Sequence, residues 1–160
     1  GNAYPNGAVD DAIFKMEDQG RLGRKVKAGF FAYDENGKRL GYWDGLGDHY
    51  PLSATQPELT DVQHRLMFAQ VLEAVKALEE GVLMDIREGD VGAILGWGFA
   101  PWSGGPLSWL DMLGTPYAAE RCDQLQAAFG DRFGCPSLLR EMAAKNQSFY
   151  GRFGTADQVA

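Results

Sequence analysis

A chain of 160 residues with 45% hydrophobic side chains is long enough to bury a core, and its 23% charged residues, interleaved among them, exclude a disordered polymer. Twenty-two acidic against fifteen basic residues leave a formal charge of -7, which excludes the basic face that nucleic-acid binding requires. No apolar run is long enough for a membrane span, and two cysteines, Cys122 and Cys135, are too few for a disulfide framework.

Residues 1–8 read as loop. Val9, Ile13 and Met16 then fall at helical spacing, Asp10 and Asp11 suit a first helical turn, and Gly20 and Gly23 end the helix. Two short aromatic runs, 29–33 and 39–43, flank Asn36-Gly37 and predict a β-hairpin. Residues 44–57, with Gly45, Gly47, Pro51 and Pro57, lack periodicity and read as linker. The strongest helix covers about 60–80. Thr60 with Gln63 has the capping-box pattern, Gly81 is a natural stop, and Val62, Leu66, Ala69, Leu72, Val75 and Leu78 draw one apolar stripe. A shorter helix over about 85–95 leads into the glycine-aromatic stretch Gly96 to Gly105. One or two helical turns follow at 106–113. Thr115-Pro116 reads as an N-cap with proline at the first helical position, opening a helix to about Phe129. Cys135-Pro136 opens a last helix carrying Leu138, Leu139 and Met142, and 146–160 reads as a loose tail. The sum is a mainly α chain with one small N-terminal hairpin.

No complete catalytic, cofactor or metal constellation is legible. His64 reads as a solvated helix residue, and His49, beside Asp48, as a loop residue or an acid-base group. A single cysteine pair with no nearby histidine is no zinc set. Ser103-Gly104-Gly105 lacks the preceding strand of a nucleophile elbow. Gly96-Trp97-Gly98 opens like a dinucleotide fingerprint, but Pro101 stands where the third glycine belongs, and a helix precedes it. Two features remain. Arg21, Arg24, Lys25 and Lys27 place four basic residues within seven positions, a place to hold a phosphate or carboxylate, with solvated surface as the alternative. The stretch Gly96, Trp97, Gly98, Phe99, Pro101, Trp102, Gly104 and Gly105 reads as a tight turn locked into the core by its aromatics, or as an apolar wall for an acyl chain or flat ring.

At these two segments the chain resembles a known family. Gly20, Arg21, Leu22, Gly23, Arg24, Lys25, then Ala28, Gly29, Phe30, Phe31, Ala32 and Tyr33 is similar to the G-R-L-G-x-K-x-x-x-G-F-Y-x-Y element of 3-hydroxyacyl-CoA dehydrogenases. The later stretch resembles the second helical repeat of multifunctional fatty acid β-oxidation proteins. Its marks are Glu73-Ala74, Leu78 to Gly81, Asp90, Gly96, Gly98-Phe99, Pro101, Gly104 to Leu107, and Asp111 with Gly114. The likeness spans roughly 8–145. It implies a helical bundle of the 6-phosphogluconate dehydrogenase C-terminal-domain-like fold, with 1–48 ending a first repeat, 49–57 a linker and 58–160 a second repeat.

The resemblance further implies that NAD and the catalytic residues belong to a Rossmann domain outside this chain. This chain would pack on that domain, close an acyl-CoA cleft, and have a second copy as a possible partner. Phe31 stands where the family has Tyr, Ala100 where it has the first of two prolines, and Leu95 where it often has a substrate-facing Tyr. Leu95, Arg24 and Lys25 are thus the candidate substrate contacts, and the fragment alone is expected to be inactive. The competing reading is a non-catalytic helical dimerisation or docking module. A cytoplasmic or other reduced intracellular setting is expected, and Gly1 in place of Met marks the chain as processed, engineered or internal to a longer one.

Overall fold

In the computed structural model the described residues, 7–154, divide between Gln56 and Pro57 into two units. In the first unit, α1 (Ala8–Asp18) carries Asp10 and Asp11 in its first turn, where their carboxylates oppose the positive end of the helix dipole. Residues 1–6 of the expected loop lie outside the described residues, and Ala8 is already helical. The expected hairpin forms from β1 (Phe31–Tyr33) and β2 (Arg39–Tyr42), antiparallel, with Phe31 opposite Tyr42 and a register slip at Tyr33. Its turn is held by Asp34, whose carboxylate accepts from the Asn36 and Lys38 backbone N–H groups at 2.9 Å each. The stretch read as linker contains one helical turn, α2 (Leu46–His49). Among the described side chains of this unit, Met16 alone joins the buried apolar set, while Ile13, Phe14, Leu22 and Phe30 are exposed.

The second unit carries the main core. Its elements are α3 (Leu59–Glu79), α4 (Ile86–Trp97), α5 (Pro106–Leu113), α6 (Thr115–Phe129), α7 (Ser137–Ala144) and α8 (Phe149–Phe153). The mainly helical reading with one hairpin therefore holds. Three local expectations do not. The buried face of α3 is Phe68, Val71, Leu72 and Val75, an i, i+3, i+4, i+7 set, while Leu66 and Ala69 of the expected stripe are exposed. Phe68 decides the rotation, because its ring packs edge-on against Trp109 of α5 at 5.4 Å.

The second concerns caps. Glu58 stands at the α3 N-cap without a side-chain bond, so the Thr60–Gln63 capping box does not form. Thr115 lies inside α6 behind Gly114, and its hydroxyl instead donates to the Gln147 carbonyl at 2.8 Å. The third is the tail. Residues 149–153 form α8, and Phe149 is fully buried in the core. Residues 155–160 of that tail lie outside the described residues.

Candidate functional site

The glycine-aromatic stretch is a structural turn built around a buried carboxylate. Gly96 is not part of it, since α4 runs through Trp97. Gly98 ends α4 in the left-handed conformation (φ 76°), and the Phe99 N–H then reaches back to the Ala93 carbonyl at 3.1 Å. Only Phe99 of the three aromatics is buried. Trp97 and Trp102 are 62% and 71% exposed, so the expectation that all three lock the turn into the core is corrected. Pro101 starts a short 3₁₀ turn, and Gly104 (φ 77°) and Gly105 (φ 120°) carry the chain into α5. A Cβ on Gly105 would lie 2.6 Å from the Asp90 Cα, so only glycine lets the two backbones approach this closely.

That approach delivers the start of α5 to Asp90, which is 1% exposed. Its Oδ1 accepts from the Leu107 N–H at 2.7 Å; its Oδ2 accepts from the Ser108 N–H at 3.0 Å, the Ser108 hydroxyl at 2.6 Å and the Tyr150 hydroxyl at 2.9 Å. A carboxylate from α4 thus caps α5, whose own N-cap Gly105 has no side chain to offer. Asp111 of α5 repeats the device one helix on, accepting from the Phe149 and Tyr150 N–H groups at 2.6 and 2.9 Å. Burial pushes the Tyr150 phenol above its ordinary range, and Asp90 adds to the shift although the Ser108 hydroxyl opposes it. Both carboxylates are committed to backbone N–H groups of the following helices, which is the chemistry of a scaffold. Residue order alone shows little of this, because Asp90 reads as an ordinary helix residue until Gly105 is placed against it.

In the first unit the basic cluster splits by role. Arg21 pins the hairpin: its Nε donates to the Gly29 carbonyl at 2.9 Å, and its guanidinium lies 4.0 Å over the Trp43 ring. Lys27 donates to the Glu35 carbonyl at 2.5 Å. Arg24 and Lys25 are exposed and make no ion pair among the described residues, which leaves them free to meet an anion. Leu95, in the second unit, projects from α4 with 80% exposure.

His64 is not the solvated residue expected. Its ring lies among Phe68, Trp109 and Tyr117 at 5.8, 6.0 and 6.1 Å, and its Nδ1 accepts from the Arg121 Nε at 3.2 Å. Burial first, then the Arg121 charge, lowers its pKa, while Asp61, paired with Arg121, opposes the shift. With Nδ1 accepting from Arg121, the imidazole is held neutral. His49, at the end of α2, is exposed and pairs with the Gln19 amide at 2.9 Å. Cys122 and Cys135 are free thiols. The neighbouring Cys135 and burial raise Cys122 far above its usual range, while Cys122 and Arg140 lower Cys135, whose thiol donates to the Pro136 carbonyl at 3.7 Å. No group of three metal-ligating side chains occurs among the described residues.

No protein-family model matches the chain. Curated proteins do. The chain is 36% identical over 143 residues to the fatty acid oxidation complex subunit alpha of Shewanella amazonensis, covering 87% of this chain and 20% of that protein. The same subunit of Shewanella loihica is 35% identical over 149 residues and that of Shewanella sp. strain MR-4 is 34% identical over 144, with the same coverage. The chain is homologous to the C-terminal region of fatty acid oxidation complex alpha subunits. It spans about a fifth of the length of the alpha subunits it matches. Six of the sequence marks of the likeness, Asp90, Gly104, Gly105, Leu107, Asp111 and Gly114, meet at the start and end of α5, while Glu73, Ala74, Leu78 and Glu79 lie on α3 and Gly96 lies on α4. No helix among the described residues is long and apolar enough to cross a membrane.

Proposed function

We propose that this chain is the C-terminal helical part of a multifunctional β-oxidation subunit, in which it scaffolds the acyl-CoA cleft of an NAD-dependent 3-hydroxyacyl-CoA dehydrogenase and packs on that enzyme's Rossmann domain. The observation that carries the reading is the likeness to alpha subunits across 87% of the chain. The first unit supports it physically. A stretch of this length with one buried apolar side chain among its described residues has little core of its own, which suits a surface that packs on a neighbour.

NAD does not fit the residues present. A dinucleotide site needs a strand-glycine-helix turn, whereas Gly96 is helical and Gly98 ends a helix. No step of the oxidation is therefore assigned to this chain. Its contribution is to hold α5 and the turn before it in place through Asp90, and to present Arg24 and Lys25 toward an anionic substrate or a docking domain. The parent is read as a cytoplasmic protein.

Two measurements test the reading. Full-length parent protein should reduce NAD with 3-hydroxyacyl-CoA, while the isolated 160 residues should show neither turnover nor calorimetric NAD binding; turnover by the isolated chain overturns the reading. In the parent, Arg24→Gln with Lys25→Gln should raise KM for acyl-CoA or lower the melting temperature in low salt, and unchanged values return the pair to plain surface. A parent coding sequence without an upstream dinucleotide fingerprint would favour the docking module instead.

A further inference from the structure

The outward face of α3 borders a groove of about 770 Å³, lined by Val62, Arg65, Leu66, Ala69, Phe129 and Arg132 with Gln70 and Phe133 at its sides. Its floor is Val62, Leu66 and Ala69, the N-terminal half of the stripe that periodicity assigns to the core, and Leu66 is 63% exposed there. The groove runs from Val62 to Gln70, about 12 Å along the helix axis. Its charge is one-signed. No carboxylate lines it, and neither Arg65 nor Arg132 makes an ion pair among the described residues. The flanking carboxylates are engaged elsewhere, Asp61 with Arg121 and Asp131 with the Gln126 amide. Arg65 lies 4.0 Å over the Phe129 ring, which holds the guanidinium at the groove while leaving its N–H edges open. The Gln70 amide is committed, donating to the Leu66 carbonyl at 3.0 Å and accepting from Trp97 Nε1 at 3.3 Å.

We propose that this groove binds an amphipathic anion, with its apolar body along Val62, Leu66 and Ala69 and its anionic head between Arg65 and Arg132. In a chain of net charge -7, two unpaired guanidiniums beside one apolar groove call for a ligand that supplies both the missing negative charge and the missing cover. The volume is that of a small-molecule site. The same chemistry is offered by a fatty carboxylate and by an alkyl phosphate. The inference rests on this groove alone and stands apart from the parent's activity.

The test is calorimetric titration of the 160-residue chain with decanoate, with decyl phosphate, and with uncharged decyl glucoside, all kept below micelle formation. One-site binding of an anion is expected, with Kd on the order of 0.1–1 mM, and the tighter of the two names the head group. Arg65→Gln with Arg132→Gln should weaken it at least about tenfold without altering helicity, and Leu66→Glu should abolish it. Four results overturn the proposal: no saturable anion binding, equal binding of decyl glucoside, indifference to the arginine substitutions, or self-association that Leu66→Glu removes.

Discussion

Replacing Asp90 by Asn tests whether the buried carboxylate is what fixes α5. The substitution keeps the shape and removes the charge. Asp90 Oδ2 serves three donors and Oδ1 serves only the Leu107 N–H, so the amide carbonyl takes the Oδ2 place and its NH₂ faces Leu107 N–H. One buried backbone donor is then left opposed, at about 1–3 kcal/mol. Loss of a negative charge at a helix N-terminus adds about 0.3–1 kcal/mol. The expected destabilisation is about 1.3–4 kcal/mol, which for a unit of roughly a hundred residues lowers Tm by about 5–20 °C. Far-ultraviolet circular dichroism measures the melt, and amide exchange at Leu107 and Ser108 localises the change. Tyr150→Phe is the control, because it deletes one hydroxyl donor and should cost only about 0.5–1.5 kcal/mol. An Asp90→Asn protein melting within about 2 °C of the parent, or Tyr150→Phe proving equally damaging, would refute the capping role.

Gly105→Ala should destabilise by more than about 2 kcal/mol, since its Cβ meets Asp90, whereas Gly98→Ala, facing open space at φ 76°, should cost about 1 kcal/mol; equal melts would show that close approach is not the constraint. Phe149→Ala should cost about 3–5 kcal/mol because the side chain is fully buried, and a near-neutral result would restore the loose tail. His64 has a folded pKa below its usual 6.5. The unfolded chain therefore takes up a proton that the folded chain resists, so stability falls as pH drops through about 6.5, and His64→Gln should remove that slope from chemical denaturation curves taken across the range.

Most helix ends were readable because glycine and proline act locally. Gly81 ends a helix where the chain needs a positive φ, and Pro106 starts one where its missing N–H does no harm, whereas α4 runs past the expected Gly96 to stop at Gly98. The face of α3 was not readable, because the helix carries two apolar stripes of equal period. Val62, Leu66 and Ala69 fit one, Phe68, Val71, Leu72 and Val75 the other, and only the partner ring of Trp109 selects between them. Helix α8 was missed for a related reason. Five residues make a poor helix alone, and this one is held by Asp111, a carboxylate 38 positions earlier whose reach no local window contains.

The candidate site shows the same limit in a sharper form. Arg24, Lys25 and Leu95 were singled out by charge and by likeness, and the structure leaves all three exposed, with nothing around them that defines a reaction. Among the residues that carry the likeness in the second unit, Asp90, Gly105 and Asp111 enable one geometric event, the approach of the Gly105 backbone to Asp90 and the capping of α5 and α8 that follows. Asp90 is 1% exposed and spends its four hydrogen bonds on protein donors, so it builds the turn and is closed to a substrate. On the reading proposed above, the chemistry is supplied by another part of the polypeptide, and the capping hub is what holds the turn before α5 in place beside it.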